Sequence, residues 1–282
     1  MTKNMYMVFS RRELSMDITR LLRVLAIGAL SFTLIACKPK YAITTSHTPL
    51  QLGDVTVDVV LHEAASPGLT YLNLHDDENT SVMAALDVIG EHGGRVIELM
   101  HSGDRTITFQ LGSSTYEFDP NRMFTDQGRA DTLERFSNVS DEALAAVGAF
   151  ADGVLQLLTP AELDVVVTLH NSQASYSVFL YTAGGDLANE AESAYVSKEM
   201  DPNDFYFVTD RDLYEQLRQM EQNIVLQNNL QATDDGSLSV WSAQQHLVYA
   251  NVEAQHGHRR AQAGMLLRLH EIFYADREAA EP

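Results

Sequence analysis

The chain has 282 residues, of which 19 are Lys or Arg and 39 are Asp or Glu, giving a formal net charge of −20. Charge of this sign excludes a nucleic-acid binder that works by bulk electrostatics, and a single cysteine excludes an internal disulfide framework and a cysteine-based zinc knuckle. Hydrophobic residues at 45% and charged residues at 21% are ordinary globular composition, with enough apolar material for a sizeable core.

The first feature along the chain is the apolar run from Val24 to Ala36, too short for a membrane span of about 20 residues and of the size of a signal-peptide core. Arg11, Arg12, Arg20 and Arg23 precede it as a basic region, and Met16 is an alternative start. The run closes as Leu34-Ile35-Ala36-Cys37, which resembles a bacterial lipobox. That resemblance implies an acylated Cys37 as the mature N-terminus, and residues 1–37 as the signal segment. The remaining body is still more acidic and is repelled by anionic headgroups, so the lipid and not charge would hold it at the membrane. Lys38 stands where an aspartate would mark inner-membrane retention, which points to the outer membrane facing the periplasm.

Residues 38–50 are polar and aperiodic, with Pro39 and Pro49, and read as a tether to a single domain over 51–282. Val55–Leu61 alternates with β-branched residues and Leu69–Leu74 is a short apolar run, so both are predicted strands. Val82, Ala85, Leu86 and Ile89 fall at helical spacing within 81–91, and Gly93-Gly94 ends that helix. Arg95–His101 and Arg105–Leu111 are predicted strands joined through Ser102-Gly103-Asp104 as a hairpin. Residues 126–158 are predicted helical, with Ser140 at a helix start. Asp164–Leu169 is nearly continuous apolar sequence, as in a central strand buried on both faces. Tyr176–Tyr181 and Phe205–Val208 read as further strands, 184–204 as an acidic surface excursion, and 210–222 and 259–274 as helices. Strands and helices interleave, so the predicted class is α/β, a mixed central sheet flanked by helices.

In open α/β sheets functional groups gather at the carboxyl ends of strands. His75-Asp76-Asp77-Glu78 directly follows one predicted strand and His170 another. Two histidines and a carboxylate make a zinc site with one open position. Alone, His-x-x-Glu carries little weight among 10 histidines and 39 acids. Asp76 and Asp77 are alternative ligands or orienting carboxylates, His170 is equally readable as a core histidine, and Arg122 as an ion pair with Asp119. The His256-Gly257-His258 pair reads as a polar loop leading into the helix at Arg259 rather than a second metal site.

The ordered set is more specific. His75-x-x-Glu78, then Asp119-Pro120-Asn121-Arg122-Met123-Phe124, Leu169-His170-Asn171 and Val252-Glu253 resemble the zinc metallocarboxypeptidase clan, closest to its succinylglutamate desuccinylase and aspartoacylase branch. The resemblance implies a zinc-carboxypeptidase-like fold in which His75, Glu78 and His170 hold Zn²⁺. Asn121 and Arg122 would take a substrate carboxylate, and Glu253 would act as general base, with Glu190, Glu192 and Glu215 as alternatives. Such relatives place an arginine shortly before the Asn-Arg pair to stabilise the oxyanion. Here Gly112-Ser113-Ser114-Thr115 lacks one, and Arg105 is the nearest replacement. Their mobile tyrosine leaves Tyr176, Tyr181, Tyr195 and Tyr249 as candidates. The implied activity is amide hydrolysis, by metal-activated water, of short peptides or N-acyl amino acids in the cell envelope; the alternative is a degenerate lipoprotein that keeps the fold as a binding or scaffold module.

Overall fold

The structure, a computed structural model, describes residues 40–278, so the signal segment and Cys37 lie outside the described residues. In chain order the elements are β1 (Ile43–Leu52), β2 (Val55–Ala64), β3 (Thr70–Asn73), α1 (Asn79–His92), β4 (Arg95–Met100), β5 (Ile107–Leu111), β6 (Ser114–Phe118), α2 (Asp126–Phe136), α3 (Asp141–Leu158), β7 (Val166–Ser172), β8 (Ala191–Tyr195), β9 (Phe205–Val208), α4 (Arg211–Gln219), β10 (Ile224–Gln227), α5 (Leu238–Gln244), β11 (Tyr249–Gln255) and α6 (Arg259–Glu278). Nine strands form one mixed sheet in the order β1-β2-β4-β3-β7-β11-β9-β10-β8, and β5 and β6 pair separately. No helix among the described residues is long and apolar enough to cross a membrane.

Both faces of the sheet are covered, as its apolar central strands require. Alternation along β3 sends Leu72 to one face, with Phe109, Phe118, Phe150 and Val154 from the β5–β6 hairpin and α3. It sends Tyr71 to the other, with Ile89, Leu217, Leu266 and Leu269 from α1, α4 and α6.

The central strands β4, β3, β7 and β11 run parallel. The chain leaves β3 through α1 for β4 on one side, and leaves β7 for β11 on the other. Neighbouring strands whose connections depart in opposite directions leave a crevice between their carboxyl ends. His75 lies just past the end of β3 and His170 near the end of β7, so the topology carries both to that crevice.

Several expectations need correction. Residues 43–50, read within the tether, belong to edge strand β1, which is paired along its whole length with β2. Most of it is exposed, so Thr44, Thr45, Ser46, His47 and Thr48 show no apolar alternation. The predicted hairpin of 95–101 with 105–111 does not form. β4 is buried almost throughout and joins the main sheet, whereas β5 alternates buried and exposed and pairs with β6 across Gly112-Ser113. Residues 176–181 are not a strand. Val178 and Tyr181, three apart and both buried, sit on one face of a short 3-10 turn over Val178–Tyr181. The stretch 126–158 is two helices: Thr125 caps α2 by accepting from Gly128 N–H, and Ser140 caps α3 by accepting from Ala143 N–H. The excursion 184–204 contributes β8, while β10, α5 and the extent of β11 had no counterpart in the sequence reading.

Gly94 matters for the position of β3. Its φ is +110°, and a Cβ there would lie 2.3 Å from Leu69 O. Gly94→Ala therefore forces the start of β3 away from β4 and costs about 1–3 kcal/mol in urea unfolding. Gly103→Ala, where a Cβ meets nothing within 4 Å, adds no clash to the strain of its positive φ and costs less.

Candidate metal centre

Beyond β3 the chain turns sharply, Glu78 N–H donating to His75 O at 3.1 Å, and this turn folds the Glu78 side chain back beside the His75 ring. Glu78 precedes α1 and its carboxylate makes no capping bond, which frees it for the site. Asn171, the neighbour of His170 on β7, accepts from Ser81 N–H at 2.8 Å and locks α1 to β7. His170 and Glu253 are register partners on the adjacent parallel strands β7 and β11, which aims both side chains to the same side of the sheet.

These placements bring His75, Glu78 and His170 together. Their ligating atoms lie within 4.8 Å of one another, and all three residues are buried. His75 Nδ1 is 2.9 Å from Glu78 Oε1 and 3.2 Å from His170 Nδ1, and His170 Nδ1 is 3.1 Å from Glu78 Oε2. Two imidazole nitrogens and a carboxylate pointing at one spot fit a divalent cation with an open coordination position.

The second nitrogen of His75, Nε2, is 2.8 Å from Asp119 Oδ1. A carboxylate behind a ligating imidazole fixes its tautomer and raises its basicity. Asp76 and Asp77, alternative ligands or orienting carboxylates by sequence, do not take this part. Asp76 instead accepts from His101 N–H and Gly103 N–H at 2.6 and 2.7 Å and shapes the β4–β5 connection. Asp119 also caps the 3-10 turn Pro120–Arg122 by accepting from Asn121 N–H at 2.8 Å. That turn presents Asn121 and Arg122 to the cleft, with the Asn121 amide 3.3 Å from His170 Nε2. The pairing of Asp119 with Arg122 does not form: Arg122 Nε lies 3.5 Å from Asp235, while Asp119 faces His75 and Arg105.

Arg105, distant from Asn121 in sequence, reaches the centre from the β4–β5 connection, its Nη1 donating to Glu78 Oε1 at 2.7 Å. Glu253 is buried, accepts from the Asn251 amide at 3.2 Å through Oε1, and leaves Oε2 without a partner. Of the other acids considered, Glu190 is held by Thr233 and Glu192 and Glu215 pair with surface arginines. Tyr176, Tyr181 and Tyr249 line the cleft, the first two with hydroxyls 2.5 Å apart, whereas Tyr195 lies on β8 away from the lining. His258 is 3.0 Å from the Asp204 carboxylate and joins no metal group. The whole forms a cleft of about 710 Å³.

Burial opposes charge on His75, but the carboxylates of Glu78 and Asp119 outweigh it and raise the imidazole to about 9. Burial likewise opposes charge on Glu78 and Asp119, and the facing histidines, with Arg105 beside Asp119, hold both well below the usual carboxylate range. Glu253 goes the other way: burial and then the Glu78 charge raise it above the ordinary glutamate value, against the pull of His170, Asn251 and Arg105.

No family model and no curated protein matches the chain. Among solved structures it is similar to an aspartoacylase family protein from Mesorhizobium loti, at 15% identity and TM-score 0.42 over 81% of this chain and 67% of that one. It is also similar to murein-tripeptide amidase MpaA from Escherichia coli O157, at 16% identity and TM-score 0.44 over 80% and 92%. A tripeptide-bound cell shape determinant, Csd4, from Helicobacter pylori matches at 12% identity and TM-score 0.37 over 82% and 56%. These neighbours are of the zinc-carboxypeptidase-like kind; at such distance the chemistry rests on the side chains themselves.

A cation needs the lone pair that the raised His75 keeps protonated at neutral pH, so binding must expel that proton. Zinc affinity of the metal-free chain is therefore expected to rise about tenfold per pH unit and to level off above about 9, as calorimetry in buffers of different ionisation heat would show. A flat profile refutes it. Asp119→Ala should weaken zinc binding by about 10–100-fold.

Proposed function

We propose that the protein is a zinc-dependent hydrolase of amide bonds lying beside a carboxylate, acting on short peptides or N-acyl amino acids. The observation that carries this reading is the convergence of buried His75, Glu78 and His170, the last two lining the cleft, with the unpartnered Glu253 oxygen brought beside His170 by strand register. Zinc, when bound, supplies a Lewis acid that polarises a carbonyl and makes water acidic near neutrality.

The chain's own groups do the rest. The Arg122 guanidinium and the Asn121 amide hold the substrate carboxylate and so fix which amide meets the metal. Glu253 Oε2 takes a proton from the attacking water and returns it to the leaving nitrogen, a role suited to a carboxyl lifted toward neutrality by burial. Arg105, half-exposed at the cleft wall, stabilises the oxygen on which negative charge develops. The arginine absent from 112–115 is thereby replaced in space by one that sequence spacing leaves remote.

The same reading puts the protein in the cell envelope, held by a lipid on Cys37 after removal of the residues that precede it. With no charge complementarity to anionic headgroups, the acyl chain is what retains it.

Glu253→Gln should reduce hydrolysis of blocked dipeptides and acyl amino acids by about 10²–10⁴-fold while zinc content stays near that of the wild type. Chelation should abolish activity, and zinc should restore it. Folded protein that takes up no zinc and cleaves nothing would instead identify a scaffold that has kept the fold.

A further inference from the structure

Across from the Arg122 guanidinium stands Asp235, its Oδ2 3.5 Å from Arg122 Nε. Amide hydrolysis requires no carboxylate there, and an arginine meant for a bare carboxylate is weakened by one. Asp235 is nevertheless held in place. Its Oδ1 accepts from Ser237 N–H at 2.9 Å, and its neighbour Asp234 accepts from Thr125 Oγ1 at 2.6 Å. Gly236 O accepts from Phe124 N–H at 3.0 Å. Gly236 has φ +76°, and a Cβ on it would fall 2.3 Å from Arg122 O and 2.6 Å from Gly128 Cα. Only glycine permits this approach. The loop carrying Asp235 is clamped onto the segment carrying Arg122, so acid and base form one prebuilt wall.

Asn251 lines the same cleft at 8% exposure. Its amide nitrogen serves Glu253, but its Oδ1 is buried and accepts nothing. A buried oxygen in that state awaits a donor. The cleft lining also carries Asp77, Glu78, Glu190, Asp235 and Glu253 against Arg105 and Arg122. Even with a divalent cation bound, the cleft has no positive charge to spare for a second anionic group.

We propose that Asp235 and Asn251 form a cation-accepting subsite beside Arg122 that selects substrates bearing an ammonium group as well as the carboxylate, with Asp235 the specificity-determining residue. The inference rests on the hydrolase reading and names its substrate class. The carboxylate lies on Arg122, the ammonium donates to Asp235 and the Asn251 oxygen, and N-acyl diacids are disfavoured because their second carboxylate finds no cation.

The test compares Nα-acetyl-lysine with Nα-acetyl-norleucine, which share a carboxylate and chain length and differ in the ammonium, by calorimetric binding to the zinc-loaded and the metal-free chain. The wild type should bind the lysine probe at least about tenfold more tightly. Asp235→Asn keeps an oxygen for Ser237 N–H and removes the charge, so it should bring the ratio near one by weakening the lysine probe while the norleucine probe binds as well or better. Its thermal unfolding should match the wild type. No binding of either probe, equal binding by the wild type, or a ratio unchanged in the variant overturns the proposal. The expected ratio in a chain that hydrolyses no amide supports the subsite and strikes the hydrolase reading alone.

Discussion

Two carboxylates held ionised out of water, Glu78 and Asp119, are the constraint on which the cleft depends. A buried carboxylate is tolerated only where partners restore what hydration supplied. Here His75 stands between the two, with one ring nitrogen on each, while Arg105 donates to the same Glu78 oxygen that His75 faces and His170 takes the other. Without a metal, the proton on His75 balances part of this charge. A divalent cation replaces that proton and uses the same lone pairs. The site is thus electrostatically committed before any metal arrives, and the turn 75–78, the 3-10 turn 120–122 and the close pairing of β3 with β7 are held in register by one network.

The strands supply the rigidity that this network needs. Glu253 and His170 do not meet by packing of long flexible side chains but because their backbones are hydrogen-bonded neighbours. Asn171, the next residue on β7, accepts from α1 on one side and donates to Gln262 of α6 on the other. Glu253 and His170 are therefore set by the sheet, and the sheet is set by the helices packed on its two faces. Arg122 and Asp235, by contrast, stand on connections outside the sheet.

What the sequence made legible follows the physics of each signal. The apolar run 164–169 announced a central strand, and the histidine at its end could be placed because strand ends gather in the crevice. The His75, Glu78 and His170 group was readable because its motifs are short and local and fall at those ends. Asp119 was visible within Asp-Pro-Asn-Arg, yet its part behind His75 was not, since a capping residue and an orienting carboxylate look alike in one dimension. Strand β1 escaped because an exposed edge strand shows no apolar alternation. The false hairpin at 95–111 came from a good turn signal at Ser102-Gly103-Asp104 overriding the difference in burial between β4 and β5. Asp235 meets Arg122 across more than a hundred residues, which no local pattern encodes, and Arg105, named from the sequence as the nearest replacement, reaches Glu78 through an irregular connection whose path the sequence does not show.

The close contact of Gly236 with Gly128 has one more consequence. His75, His170 and Glu253 stand at strand ends, while the acid facing Arg122 is mounted on a separate connection, held against residues 122–128 by that glycine pair and by the bonds of Asp234 and Gly236. A change of side chain at 235 would therefore leave the groups at the strand ends in place. Under the proposed hydrolase reading, single substitutions on that rim would alter which molecules enter the cleft, so long as both glycines keep their close approach.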